Sequence, residues 1–376
     1  GAGGGSIASF DRMYNAVAVG PKSAGSDPGP ACYDRGGMSP TVTDADLALG
    51  YLDAENYAGG SIPLNPKRSM FAIEEALCDD LGVEPIAAAL LIKEKVDSNM
   101  ANGVNTELRV RGYDPKDFTM LAYGGNGPLH CCGIASKLKI DKILATPMSS
   151  VFSAVGAGNM HQMHIHETSL FMVLYDSTAR KVFDNYARFN DLVVELSKRG
   201  QADLVRQGSP VSDIKHSLEL DMRYGNQLVQ TTVVVPKHSL ESVMDVMNIL
   251  DQFSSDYGKR FGEGSQAPEA GIRINTIRVA SYVEHDTVKF DHIKPIAQSE
   301  RIAPPAPTAT RTCYFVGDGK PVKTPVWDKA NIPPGTEIVG PGLVSSEVTT
   351  YLIEPGWKYV SAEQGAVWFL RTEDKN

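Results

Sequence analysis

Apolar residues recur at helical spacing in two segments near the start of the chain. In residues 69–81 they fall at Met70, Ile73 and Leu77, and residues 84–108 are rich in alanine with apolar positions every three or four residues. This spacing places the apolar side chains on one face. It predicts two helices, over 69–81 and 84–108, that pack on a core.

A different pattern follows at residues 118–145. A short apolar run, 118–123, leads into Gly124-Gly125-Asn126-Gly127, then into a helical segment at 129–138 and a second apolar run at 140–145. Strand, glycine turn, helix and strand in this order are typical of an α/β layer. The predicted fold class is therefore α/β.

The second half of the chain changes pattern again. A helical segment is followed by alternating apolar and polar residues over 214–222, a turn at 224–227 and a return strand over 228–235, which predicts a β-hairpin. Prolines then cluster, and short runs rich in Val, Ile and Thr follow. The predicted parts are an α/β portion, an α+β domain, a proline-rich linker and a small β-rich C-terminal domain, over residues 1–170, 171–293, 294–310 and 311–376.

Composition narrows the classes of function. The 376 residues include 42% apolar and 22% charged residues, which predicts a folded protein, and 36 Lys and Arg against 45 Asp and Glu give a net charge of −9. This charge argues against nucleic acid and anionic membranes as partners. Apolar runs are too short to span a membrane, and five cysteines fit neither a zinc ribbon nor a disulfide framework, so a cytoplasmic location is expected. The opening glycine run, which lacks an initiator Met, predicts that the chain is the C-terminal part of a longer polypeptide.

Two glycine-rich loops are the main candidates for ligand binding. One contains Gly124, Gly125, Asn126 and Gly127 before a predicted helix, where backbone amides and the helix dipole favour anions. The alternative is that these glycines only permit tight packing. The other loop contains Gly3, Gly4, Gly5 and Ser6. Two such loops in one α/β unit favour a nucleotide or phosphate site.

Two further groups each have two interpretations, and a third has one. Thr41 to Asp46 could hold magnesium through oxygen ligands, or Thr43 or Asp44 could cap a helix. His164 and His166, near His161, would share a strand face and either ligate a transition metal or form a structural cluster. The adjacent pair Cys131 and Cys132 lies in the apolar part of a predicted helix and is expected to be buried and inert.

Several longer blocks resemble one known family. These blocks are Gly3-Gly4-Gly5-Ser6-Ile7-Ala8, the segment from Val19 to Tyr33, Pro40-Thr41-Val42-Thr43-Asp44-Ala45, Tyr123-Gly124-Gly125-Asn126-Gly127-Pro128-Leu129-His130, Arg223-Tyr224 and Glu354-Pro355-Gly356-Trp357. They resemble the hydantoinase A, 5-oxoprolinase and acetone carboxylase family over nearly the whole chain.

The resemblance implies an actin- and sugar-kinase-like ATPase fold, of which residues 1–170 would be the C-terminal portion of the nucleotide-binding lobe. It implies that ATP, with Mg²⁺, phosphorylates a small carbonyl substrate or bicarbonate. Gly124 to Gly127 would hold the adenosine side of ATP, while Gly3 to Ser6 and a catalytic Asp44 would face the phosphates or substrate. The family's other phosphate loops, of the form D-x-G-G-T-x-T-D, do not occur in this sequence.

The branch within the family is indicated by similarity. Arg223-Tyr224-Gly225-Asn226-Gln227 departs from the R-Y-x-G-Q form associated with hydantoinases, and together with residues 261–269 it is more similar to the ATP-using subunit of a ketone carboxylase. The implied partners are the N-terminal half of the same subunit and a hydantoinase B-like catalytic subunit in a hetero-oligomer, with a small carbonyl substrate and bicarbonate. The alternatives are an ATP-dependent cyclic amide hydrolase and a scaffold with a vestigial nucleotide site.

Overall fold

Helices and strands are mixed along the chain, which confirms the α/β prediction. The computed structural model describes residues 2–287, 293–317 and 319–372. The α-helices in these ranges are α1 (Val42–Ala48), α2 (Pro66–Ile73), α3 (Asp79–Leu81), α4 (Pro85–Val110), α5 (Gly127–Leu138), α6 (Phe152–Gly158), α7 (Ala187–Arg206) and α8 (Val243–Phe261). The strands are β1 (Ser6–Asp11), β2 (Ala16–Ser23), β3 (Met120–Ala122), β4 (Lys142–Ala145), β5 (Gln162–Asp176), β6 (Lys181–Val182), β7 (Ile214–Tyr224), β8 (Thr231–Val235), β9 (Ile272–Val283), β10 (Ala309–Tyr314), β11 (Pro321–Asp328), β12 (Glu337–Val339), β13 (Gly342–Ser345), β14 (Thr350–Ile353), β15 (Trp357–Ser361) and β16 (Val367–Arg371).

The chain separates into two units, Gly1–Gly156 with Lys289–Asn376, and Ala157–Val288. This division differs from the predicted boundaries, because β16 of the predicted C-terminal domain pairs with β4 in the same sheet. The chain around the predicted boundary at 293 includes residues 288–292, which lie outside the described residues, as do Gly1, Asp318 and the last four positions.

Helix α4 packs on the first unit's core. Pro85 occupies its first turn, and Ala88, Ile92 and Val96, spaced four residues apart on one face, are fully buried. The predicted helix over 69–81 forms as α2, a single π-helical turn at Glu74–Cys78, and α3. Together with α1 and the β1–β2 hairpin, these helices enclose one hydrophobic cluster.

The strand, glycine turn, helix and strand predicted from residues 118–145 are present. Strands β3 and β4 are parallel, α5 connects them, and they form one end of a sheet with the order β12-β15-β16-β4-β3. A second sheet of this unit has the order β10-β11-β13-β14. The glycine turn therefore lies at the carboxyl end of β3, where open α/β sheets commonly bind ligands.

The second unit is a sheet with the order β6-β5-β9-β7-β8 and two helices. Strands β7 and β8 form the predicted hairpin, although the return strand begins at Thr231 rather than at residue 228. Helices α7 and α8 bury apolar side chains such as Phe189 and Phe253 against one face of the sheet. None of the helices in the described ranges combines the length and the apolar character that crossing a bilayer requires.

Candidate functional site

The two glycine-rich loops line one cavity of about 420 Å³ in the first unit. This volume lies within the roughly 300–1,000 Å³ range of small-molecule pockets. The predicted site residues in its lining are Gly3, Gly4, Gly5, Gly124, Gly125, Asn126 and Gly127. The loops are separated by about 120 positions in the sequence, and the fold brings them together.

Gly4 lies where the two loops meet α1. Its carbonyl oxygen accepts a hydrogen bond from the amide of Thr43 at 2.9 Å. A methyl group built on Gly4 would lie 2.6 Å from Thr43 Oγ1 and 2.8 Å from Asn126 Nδ2. A side chain larger than hydrogen would therefore push the loops apart.

The glycine turn before α5 is anchored on both sides. Gly124, at φ +91°, donates its amide to the carbonyl of Ser149 at 2.6 Å, and the carbonyl of Gly125 accepts from Thr349 Oγ1 at 2.6 Å. A methyl group on Gly125 would meet no atom within 4 Å. The turn thus has fixed ends and an open side.

Several backbone amides at the cavity have no acceptor. Within the described residues, the amides of Gly4, Gly5, Gly125 and Asn126 donate to no protein atom, and the enclosed Asn126 Nδ2 also lacks a partner. An enclosed donor such as Asn126 Nδ2 is costly unless a ligand or water accepts from it, whereas the more exposed amides can donate to water. The cavity can therefore take a ligand with acceptor oxygens or nitrogens. Among the described residues that line it, none is Lys or Arg.

Ser6 does not line the cavity. It is the first residue of β1, it is buried, and its hydroxyl accepts a hydrogen bond from the amide of Gly3 at 3.1 Å. Its observed contact therefore shapes the glycine loop.

Asp44 was predicted to face phosphates or substrate, and the structure corrects this placement. It is fully buried, and its two oxygens accept hydrogen bonds from the amides of Ala31 (3.1 Å), Cys32 (2.7 Å) and Thr41 (2.9 Å) and from the hydroxyl of Ser69 (2.8 Å). Thr41 rather than Thr43 or Asp44 is the N-cap of α1, with Asp44 as its capping-box partner. The observed contacts of Asp44 join α1 to the loop before it and to α2.

The described residues do not fit a magnesium site. In those ranges no three His, Cys, Asp or Glu side chains lie close enough to hold a metal ion. In the segment from Thr41 to Asp46, the Asp44 carboxylate is already engaged by four residues. No chemical step is therefore assigned to a magnesium ion held by this part of the chain.

A chain of buried charges lies beside the cavity. His130, which lines the cavity, contacts Asp46 through Nε2 at 3.3 Å and Asp97 through Nδ1 at 2.8 Å. Lys93 then bonds Asp97 at 2.5 Å and Glu354 at 3.0 Å. These contacts connect α1, α4, α5 and the turn between β14 and β15.

These contacts shift the pKa values of His130 and Asp97. Burial alone would lower the pKa of His130, but the adjacent Asp46 and Asp97 carboxylates raise it to about 9. Burial opposes ionisation of Asp97, but Lys93 and His130 hold its pKa below the ordinary value. His130 is therefore an imidazolium at neutral pH. Among the described residues, the buried Oδ1 of Asp46 has no hydrogen-bond partner.

Gly133 on α5 permits this arrangement. A methyl group there would overlap Asp97 Oδ2 and would lie 3.2 Å from Lys93 Nζ. The helix can approach the buried carboxylate closely because this position has no side chain.

Sequence reasoning did not identify some of the cavity residues. Thr43, Tyr33, Tyr57 and His130 all line it, and the hydroxyls of Tyr33 and Tyr57 lie 3.4 Å apart. The sequence signal that could have identified His130 is its position three residues after Gly127, the last residue of the glycine turn. The tyrosines have no comparable local signal.

The histidine cluster lies in the second unit. His164 and His166 share a strand face as predicted, and both face Asp203 of α7, at 3.9 Å and 2.7 Å. His161 stacks on Tyr282 with ring centroids 6.0 Å apart. The contacts join α7 to the sheet.

The predicted inert pair, Cys131 and Cys132, is buried in α5. Burial raises the pKa of the Cys132 thiol. This environment favours the thiol over the reactive thiolate.

The sequence matches the hydantoinase/oxoprolinase family over residues 1–166 and the hydantoinase/oxoprolinase C-terminal domain over residues 176–364. It is 35% identical over 359 residues to the acetophenone carboxylase gamma subunit of Aromatoleum aromaticum, which covers 94% of this chain and 48% of that subunit.

Two solved structures are also similar. The ATP-dependent caprolactamase from Pseudomonas jessenii gives a TM-score of 0.80 at 28% identity, over 99% of this chain and 52% of that chain. Nucleotide-free acetone carboxylase gives a TM-score of 0.73 at 24% identity, over 99% and 52% of the two chains, and this likeness supports the fold. The chain thus spans about half the length of the relatives it matches. On these matches, the chain belongs to the hydantoinase/oxoprolinase family.

Proposed function

We propose that this chain forms part of an ATP-dependent enzyme that activates a small ketone for carboxylation, with ATP held in the cavity between the glycine loops. The observation that carries the proposal is the convergence of Gly3–Gly5 and Gly124–Gly127 on one cavity with unused backbone amides. Unused backbone donors on both loops suit a ligand with hydrogen-bond acceptors at both ends, such as ATP with its adenine ring and its phosphates.

Each loop has a separate part in this proposal. The turn at Gly124–Gly127 holds the adenosine side of ATP, and Gly3–Gly5 lie towards its phosphates. ATP supplies a phosphoryl group, which turns an oxygen of bicarbonate into a better leaving group, so that the ketone's α-carbon can attack the carboxyl carbon and displace phosphate. The chain's own contribution is binding and orientation, since amides held by fixed turns need little rearrangement when the ligand arrives.

Positive charge for the phosphates has to come from elsewhere. The described cavity lining contains no Lys or Arg, and both nitrogens of His130 are engaged by carboxylates. We therefore infer that the N-terminal half of the subunit completes the phosphate site. A hydantoinase B-like subunit is the proposed partner for the carboxylation step. The names of two relatives, a gamma subunit and a subunit alpha, support assembly into a multi-subunit enzyme.

Hydrolysis of a cyclic amide is the second candidate. It is favoured by the similarity to ATP-dependent caprolactamase over 99% of this chain. Both reactions begin with transfer of a phosphoryl group from ATP to an oxygen. In lactam hydrolysis water adds to the phosphorylated carbonyl carbon, the ring C–N bond breaks and phosphate is released. In ketone carboxylation the ketone loses an α-proton, and its α-carbon attacks phosphorylated bicarbonate and displaces phosphate.

The test is ATP turnover by the purified multi-subunit enzyme. We expect phosphate release that requires both a ketone and bicarbonate. If a lactam, a hydantoin or 5-oxoproline drives phosphate release without bicarbonate, the assigned reaction becomes cyclic amide hydrolysis instead of carboxylation. No ATP turnover with any of these substrates would contradict both candidates.

A matched pair of variants assigns the turnover to the cavity. Gly125 and Gly264 are both exposed glycines whose added methyl would meet no atom within 4 Å, but only Gly125 lines the cavity. We expect Gly125→Val to lower turnover at least tenfold and Gly264→Val to leave it unchanged.

A further inference from the structure

One face of the sheet in the second unit carries an unusual mixture of side chains. Alternate residues of β5 on this face, including Ile165, Phe171 and Val173, are exposed. Charged residues of β7 and β9 lie beside them.

The carboxylates on this face converge on one arginine. Arg278 of β9 forms ion pairs with Glu167 at 2.9 Å, Glu219 at 3.2 Å and Asp221 at 3.2 Å. These three acidic groups are therefore committed to the same cation.

Two other arginines lie directly opposite each other. Arg223 of β7 and Arg273 of β9 are register partners on adjacent strands. Directly opposite residues have Cβ atoms about 4.5–5.5 Å apart, and like charges there are destabilising. Burial and the nearby charge of Arg223 lower the pKa of Arg273. Among the described residues, neither arginine forms an ion pair with a carboxylate.

The turn that follows β7 holds both guanidinium groups. Arg223 Nη1 donates to the carbonyl of Gln227 at 2.9 Å, and Arg273 Nη2 donates to Asn226 Oδ1 at 2.6 Å. The ring of Phe171 lies 5.1 Å from the guanidinium carbon of Arg273. The side chains are thus oriented by neutral groups that leave their charge uncompensated.

Most of the donors on these two side chains are unused. A guanidinium group has five N–H donors in a planar fork. Within the described part of the chain, the Nε atoms of Arg223 and Arg273 are enclosed and have no acceptor, and each side chain has only one of its Nη atoms in a hydrogen bond. An oxyanion would accept from the remaining Nη donors and would remove the repulsion between the two cations.

We propose that Arg223 and Arg273 form a binding site for the phosphate group of a small molecule. Two adjacent guanidinium groups match the charge of a phosphate dianion, whereas a single carboxylate would neutralise only one. The site goes beyond the proposed nucleotide cavity, because all of its residues belong to the second unit.

The test is a calorimetric titration of the purified protein at fixed ionic strength with inorganic phosphate, methyl phosphate and acetate. We expect saturable binding of phosphate, at least tenfold weaker in Arg273→Gln and in Arg223→Gln. The matched control is Arg199→Gln, since Arg199 is an exposed arginine of α7 paired with Glu195. It is expected to bind phosphate as the unchanged protein does.

The two phosphate probes distinguish the sources of the ligand. Equal binding of methyl phosphate would support a phosphate ester, and binding of inorganic phosphate alone would support the free ion. Equal binding of acetate would overturn the assignment to phosphate. Phosphate binding that is absent, or that survives both Arg223→Gln and Arg273→Gln, would overturn the site.

Thermal unfolding without phosphate provides a second readout. Removal of one of two opposed cations is expected to leave the melting temperature unchanged or higher in Arg273→Gln. A clear fall in melting temperature, with phosphate affinity retained, would show that the pair is structural instead.

A variant of the nucleotide cavity distinguishes phosphate bound at the arginine pair from phosphate bound in that cavity. Gly125→Val, which fills the nucleotide cavity, is expected to keep phosphate binding at the arginine pair. Loss of phosphate binding in Gly125→Val together with its retention in Arg273→Gln would place the phosphate in the nucleotide cavity and overturn the inference.

Discussion

Replacement of Gly133 by Ala tests the buried charge chain beside the cavity. A methyl group at this position would overlap the Asp97 carboxylate, which is held in place by Lys93 at 2.5 Å and by His130 at 2.8 Å. Asp97 can move away only by weakening one of these buried contacts. Loss of a buried charge contact costs about 3–5 kcal/mol.

Helix propensity acts in the opposite direction. Gly to Ala within a helix normally stabilises by about 1 kcal/mol. The net expectation for Gly133→Ala is therefore a loss of about 2–4 kcal/mol in the free energy of unfolding. Gly103 of α4 is the control, because it is exposed and its added methyl would meet no atom within 4 Å. Gly103→Ala is expected to stabilise by about 0.5–1 kcal/mol.

Urea-induced unfolding of the purified variants measures both values. Opposite signs for Gly133→Ala and Gly103→Ala support the close approach of α5 to Asp97. If Gly133→Ala is as stable as Gly103→Ala, the carboxylate is not confined there and the reasoning is refuted.

Three further outcomes follow from the same contacts. Gly125→Val should weaken ATP binding at least tenfold in calorimetry and leave the melting temperature nearly unchanged, because its side chain enters open space. A lowered melting temperature with unchanged ATP affinity would remove the turn from the site. His130 has a pKa of about 9, above the ordinary value near 6.5, so its contribution to stability is complete below pH 6.5 and is lost as the pH rises through 9. His130→Asn should abolish this pH dependence of the free energy of unfolding, measured by urea titration at several pH values. A pH dependence that persists in His130→Asn would contradict the assignment of the raised pKa to His130. Asp44→Asn should lower the free energy of unfolding by about 1–3 kcal/mol, because an amide cannot accept all the buried hydrogen bonds. The folded fraction of this variant should keep its ATP affinity. A folded variant with reduced ATP affinity would restore Asp44 to the site.

Local patterns were sufficient to predict much of the fold. The helix over 84–108 and the hairpin at 214–235 depend on contacts between near neighbours, and both are observed, with ends shifted by a few residues. Helix starts were harder to place, because several serines compete. Ser239 and Ser242 both precede α8, and Ser242 caps it, since only Ser242 has Asp245 three residues later to complete a capping box.

The candidate site depends on long-range contacts that periodicity does not encode. Each glycine loop was visible in the sequence, but their convergence on one cavity required the fold or the resemblance. Lys93 and Asp97 lie on the buried side of α4. Their spacing of four residues along the helix indicates only that they pair with each other. Their connection to Glu354, 261 positions from Lys93, has no local signal.

Hydrogen exchange, followed by mass spectrometry with and without ATP, tests the shared nucleotide cavity most directly. The sample is the chain together with the N-terminal portion of its subunit, and the readout is exchange at the amides of Gly4, Gly5, Gly125 and Asn126. ATP is expected to slow exchange in both loops together and to leave residues 233–252 of the second unit unchanged. Saturable ATP binding with unchanged exchange in both loops would contradict the central claim, and so would protection of one loop without the other.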